Sequence, residues 1–168
     1  MTAPPVRWHR AALNVVAFQL GWFACVLGGG VIGTAAAGAI LIWHLRVMAR
    51  PGEWRWLVGF AALGFAVEGG LALAGGYRFA PDTLSVGPLA LWLWWLWPLF
   101  ATLLVHSLSW LWYRPWLATL GGAVSAPLSY VGGATLAGVE LAPWLLPVQA
   151  LFWALLCRAL CLRLSPPR

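Results

Sequence analysis

Apolar residues fill this chain in six long stretches separated by short polar or glycine-rich links, at about 12–29, 31–48, 56–75, 89–112, 117–138 and 144–162. Each stretch reaches or exceeds the length, about 18 residues, at which an uninterrupted apolar run reads as a transmembrane helix. The pattern predicts an all-α fold: one membrane domain over residues 1–168, built as a bundle of six transmembrane helices.

The links carry stop signals of different kinds. Gly28 to Gly30 turn the first stretch into the second, and the RPGEWR link at 50–55 holds a proline and a glycine that end a helix. A longer link at 76–88 contains Arg78, Pro81, Asp82 and Gly87. The fourth and fifth stretches are joined so tightly, through Arg114 and Pro115, that they are expected to run antiparallel side by side.

The fourth stretch looks central. Trp92, Trp94, Trp95 and Trp97 crowd one end, and Trp110, Trp112, Tyr113 and Trp116 the other. As one helix, Trp94 to Trp110 spans about 24 Å, roughly the separation of the two aromatic belts of a bilayer. Thr102, His106, Ser109 and Tyr113 fall at spacings that place them on one helical face. A polar stripe on a lipid-bound helix has to look inward.

Composition sharpens this picture. Of 168 residues, 62% are hydrophobic and 8% charged. That is more apolar surface than a soluble fold of this size can hide. The net charge of +6 does not point to nucleic acid, because the basic residues, all Arg, are scattered at segment ends rather than gathered on one face. With six spans, Arg7, Arg10, Arg46, Arg50, Arg55, Arg114, Arg158, Arg163 and Arg168 fall on one side and Arg78 alone on the other. That bias predicts both termini in the cytoplasm. The basic, then apolar, then small-residue start resembles a signal peptide, but the apolar chain continues through Ile40 to Ile42, so a retained first helix is expected. Cys25, Cys157 and Cys161 are expected to be free packing thiols.

Glu68 is the costliest residue, about 20 Å along the third stretch from Arg55. An acid at that depth costs about 3 kcal/mol on insertion scales, so it needs a partner or a proton. Ala61, Gly64, Ala72 and Gly75 share its face and allow a second helix to come close. Pro127 is expected to kink the fifth stretch and free carbonyls beside Ser125, Ser129 and Tyr130. By depth, Glu68, Thr102, Ser125 and Ser129 form a central layer; Asn14, Gln19, His106 and Ser109 form an inner one. These residues, together with Tyr130, are the candidate binding pocket. His9 and His44 read as interfacial, and the QLGW and SLSW strings at 19–22 and 107–110 hint at an inverted repeat.

No HExxH, Cys/His zinc set, G-x-S-x-G elbow or Walker loop occurs, so neither a metal nor a cofactor is expected. Three functions stay open. The first is binding or transport of a small hydrophobic or amphipathic molecule or lipid. The second is a lipid-modifying enzyme using Glu68 or His106 as acid or base. The third is a structural subunit packed against a membrane-protein partner.

Asn14, FQLGWFACVL at 18–27, LW at 91–92, HSLSW at 106–110, APLSYVGG at 126–133 and VE at 139–140 together resemble the domain-of-unknown-function family numbered 2878, small bacterial inner-membrane proteins. The resemblance covers nearly the whole chain. It implies a membrane location and a multi-span fold, with no activity to transfer. Glu68 stands where that family often carries Asp.

Overall fold

The structure, a computed structural model, describes residues 8–165. Arg7 and Arg168, which enter the arginine count, lie outside the described residues, as do both chain ends. The molecule is mostly helical: α1 (Trp8–Trp43), α2 (Trp54–Leu73), α3 (Leu91–Ala101), α4 (Pro115–Ala137) and α5 (Leu145–Leu164). Three helical stretches are long and apolar enough to cross a membrane: Trp8–Met48, Trp54–Leu73 and Leu145–Leu164.

The first of these is folded back on itself. Gly29 sits at φ 64°, ψ −155°, and it splits α1 into arms at 8–28 and 30–43. An L side chain would be strained in that backbone conformation, which glycine adopts freely. The arms lie against each other along their length. The Cys25 thiol donates to the Gly33 carbonyl at 3.8 Å near the turn, and Arg10 donates to the Val47 carbonyl at 2.8 Å near the open end. The second arm ends in one wide π-helical turn, His44–Met48.

Packing follows the small residues. At Gly64 of α2 an added Cβ would sit 2.2 Å from the Trp97 indole, so α3 presses a bulky ring into the small face that carries Glu68. At Gly122 of α4 it would meet the Trp153 carbonyl oxygen at 2.8 Å, which brings α4 and α5 nearly backbone to backbone. Two short ladders close the loops: β1 (Tyr77–Arg78) pairs antiparallel with β4 (Glu140–Leu141), and β2 (Ser85–Val86) with β3 (Leu89–Ala90). The three cysteines are free and buried.

Large apolar side chains lie outside as well as in the core, and a few polar ones are held within it. Asn14, His44, Glu53, Glu68, Thr102, Ser107 and Gln149 are buried, while Leu20, Val31, Leu120, Leu128, Leu151 and Leu162 are each more than half exposed. An apolar exterior, with the few polar side chains drawn inward, is the arrangement hydrocarbon solvent selects.

The fourth stretch departs from expectation. The helix predicted over 89–112 ends at Ala101; residues 102–110 form a run of tight turns, and Leu111–Tyr113 a single 3-10 turn. Competing donors explain it. The Thr102 carbonyl, which a regular helix would offer to the His106 amide, accepts from Asn14 Nδ2 at 3.2 Å, and the Leu104 carbonyl accepts from Trp112 Nε1 at 2.6 Å. The amides of His106 and Leu108 both turn back to the Leu103 carbonyl instead. Thr102, His106, Ser109 and Tyr113 therefore do not share one helical face. Nor do the two suggested repeat strings match, since 19–22 is regular helix and 107–110 is turn. In α4 the helix continues through Pro127.

Candidate functional site

Two buried carboxylates organise the polar interior. Glu68, on α2, has no exposed surface. Tyr77 from β1 donates its hydroxyl to Oε2, Tyr130 from α4 donates to Oε1, and Gln149 Nε2 from α5 reaches both oxygens at 3.3 Å. Gln149 also donates to the Tyr77 hydroxyl oxygen at 2.9 Å. Four elements thus converge on one acid whose partners are all neutral donors. Burial followed by the Glu68 charge pushes the Tyr77 phenol well above its ordinary range.

Beside this cluster lies a cavity of about 470 Å³. Its walls are chiefly aromatic and aliphatic, with Phe18, Trp22, Phe79, Trp92, Trp97 and Trp153 prominent. The polar groups it touches are few: Tyr77, Tyr130, Ser125 and Ser129. Ser129 accepts a bond from Trp22 Nε1 at 3.2 Å, and Ser125 donates to the Gly121 carbonyl at 2.6 Å. Both tyrosines that line the cavity also hold Glu68, so a guest touching either phenol is one hydrogen bond from the buried acid.

The second carboxylate is Glu53, in the link before α2. Its oxygens take His44 Nε2 at 2.6 Å, His106 Nε2 at 3.0 and 3.1 Å, and the Arg50 backbone N–H at 2.8 Å. Burial works to raise this carboxyl, but the bonds from His106, His44 and Arg50, joined by the charge of His106, outweigh it and hold the group at about 2. The two imidazole rings meet edge to face at 5.2 Å.

The residues singled out from the sequence fall into separate places. Glu68 and Tyr130 are bonded to each other, and Ser125 and Ser129 line the adjoining cavity. Asn14 and Thr102 belong to a buried backbone-capping network in which the Ser107 hydroxyl donates to Asn14 Oδ1 at 2.7 Å. His106 joins Glu53 rather than Glu68, so His106 and Glu68 do not form a joint acid–base pair. Ser109 donates to the His106 carbonyl at 2.7 Å, and Gln19 is exposed on the outer face of α1.

Sequence reasoning missed Gln149, Tyr77, Glu53 and His44. Gln149 is an amide isolated in an apolar run, a signal that was available in the sequence. Tyr77 and Glu53 sit in links and carried no such signal. His44, read as interfacial, is 1% exposed because the wide π turn swings it inward onto Glu53.

A family model described as "Protein of unknown function (DUF2878)" matches residues 11–159. The chain belongs to this family. The DUF2878 match takes in both carboxylate clusters and the cavity between α1, α3, α4 and α5. Searches of curated proteins and of solved structures returned no match to this DUF2878 member.

Proposed function

We propose that this DUF2878 member is a six-span protein of the bacterial cytoplasmic membrane, with both termini cytoplasmic, that binds or moves a small hydrophobic or amphipathic molecule or lipid. The single observation that carries the ligand reading is the 470 Å³ cavity with its apolar walls and the Tyr77 and Tyr130 phenols shared with Glu68. Its volume lies within the range of small-molecule sites, about 300–1,000 Å³. Mostly apolar lining with a few convergent polar groups is the chemistry that admits a hydrocarbon body and orients a hydrogen-bonding head.

Six traversals are supported by the return of α1 at Gly29 and by continuation of α3 through the turns to Tyr113. The topology is supported by the arginines: Arg10 lies beside Val47 at one end, while Arg78 pairs with Glu140 on the opposite loops. A reporter fused after Arg168 should read cytoplasmic, and a periplasmic reading would reverse the assignment.

Mass spectrometry of the protein released from mild detergent tests the ligand. Gly121 lines the cavity and has open space at its Cβ position, so Gly121→Leu is the substitution that adds apolar bulk there. The wild type should retain a co-purifying compound that Gly121→Leu loses at equal abundance. Identical lipid profiles for the two proteins would overturn the reading.

A further inference from the structure

The Glu53 cluster has a chemistry of its own, independent of the cavity. We propose that His44 Nε2, His106 Nε2 and one carboxylate oxygen of Glu53 form a binding site for a divalent d-block cation, with Zn²⁺ the best fit. The three ligand atoms lie within 4.8 Å of one another. They come from three parts of the chain: the π turn ending the first hairpin, the link before α2, and the tight turns after α3. His44 and Glu53 are buried, and His106 is 11% exposed by its side chain, so lipid does not compete for any of them.

The donor set selects the ion. Two imidazoles and one carboxylate suit zinc, which is held in open sites by three such ligands plus water or a further group. Magnesium and calcium demand shells of oxygen, and this site offers one carboxylate. Copper(I) prefers sulfur, and Cys25, Cys157 and Cys161 are not among the three ligands.

The geometry requires little movement. Bonds of about 2.0–2.1 Å to a tetrahedral ion put neighbouring ligand atoms about 3.4 Å apart. The present separations from the carboxylate to the two rings are 2.6 to 3.1 Å. Glu53 therefore draws back by less than about 1 Å, and the two ring nitrogens, which lie within 4.8 Å of each other, settle at about 3.4 Å around the ion. Both rings already turn Nε2 to the same carboxylate. Glu53 also borders a surface depression of about 660 Å³ lined by Arg50, Gly52 and Arg55, the nearest approach from the surface to the three ligands. Among the described residues no arginine pairs with Glu53, so its charge is left for the ion and the imidazoles.

The probe is Co²⁺, titrated into the full chain after chelator treatment, in detergent and without a polyhistidine tag. One equivalent should bind and give the visible ligand-field absorption of a four-coordinate centre, and Zn²⁺ should bleach it. His44→Asn and His106→Asn should each weaken binding by more than the about 10–100-fold that loss of a mere outer-shell partner costs. Glu68→Gln, in the other cluster, should leave the spectrum unchanged. Absence of a saturable spectrum in the wild type overturns the site whatever the variants do. So does stoichiometric four-coordinate binding that survives in a folded His44→Asn or His106→Asn protein.

Discussion

Glu68 and Glu53 are both buried carboxylates, one within α2 and one just before it, yet the groups facing them differ. Glu68 meets two phenols and an amide from three other elements. Glu53 meets two imidazoles and a backbone amide at the edge of a surface depression. Neutral donors satisfy an acid without offering a second charge, so the Glu68 cluster holds helices together beside an apolar cavity and gives that cavity one polar wall. Titratable nitrogen donors can exchange a proton or a cation with water. Burial alone does not assign a role to an acid; the chemistry of its partners does.

The largest expected effect separates the two at once. Glu68→Leu strands the Tyr77 and Tyr130 hydroxyl donors and leaves Gln149 only its bond to Tyr77, at about 1–3 kcal/mol for each buried group left unmatched. Thermal unfolding in detergent should drop sharply, and a stability equal to wild type would mean that the cluster does not brace the bundle. Next in size, Glu53→Gln removes charge-assisted bonds worth about 1.5–3 kcal/mol each when intact, and should weaken the open end of the hairpin selectively in the same unfolding assay.

The pH dependence sharpens the contrast. A carboxyl held at about 2 against an ordinary 4.5 contributes stability that is fully present above pH 4.5 and is lost as pH falls toward 2. In chelator-treated protein the unfolding midpoint should therefore decline across that window. The Glu53→Gln variant should lack that component of the decline, and parallel curves for the two proteins would remove Glu53 as its source.

Tyr130→Phe is milder, about 1 kcal/mol, because a second donor already serves the acid. Gln149 still reaches the same oxygen of Glu68. The informative readout is retention of the co-purifying compound, which should fall while Glu53 chemistry stays intact. The smallest effect belongs to Arg78→Ala. The Arg78–Glu140 pair is 82% and 72% exposed. Its loss should change stability by less than about 0.5 kcal/mol in the same unfolding assay, the scale of an exposed ion pair.

Much of the architecture was legible from the residues. The apolar stretches, the turn at Gly29 and the close-packing face around Gly64 follow from hydropathy and side-chain size, which are local properties. The need of Glu68 for buried partners was legible because an acid in hydrocarbon demands them. The break after Ala101 was not legible, since the Trp-rich run stays apolar throughout and hydropathy does not record who bonds the backbone. Asn14, 88 residues away in sequence, takes the carbonyl that the helix needed. Tyr77 and Glu53 escaped notice for a related reason. Polar residues in links read as water-facing, and only the folded chain turns them inward.

The turn at Gly29 bears on how the protein is made. Because its two arms follow each other through a single reversed residue, both leave the ribosome before any soluble loop intervenes and can partition into lipid as a pair. In the proposed topology, orientation is then decided once for the pair, by the arginines at its open end.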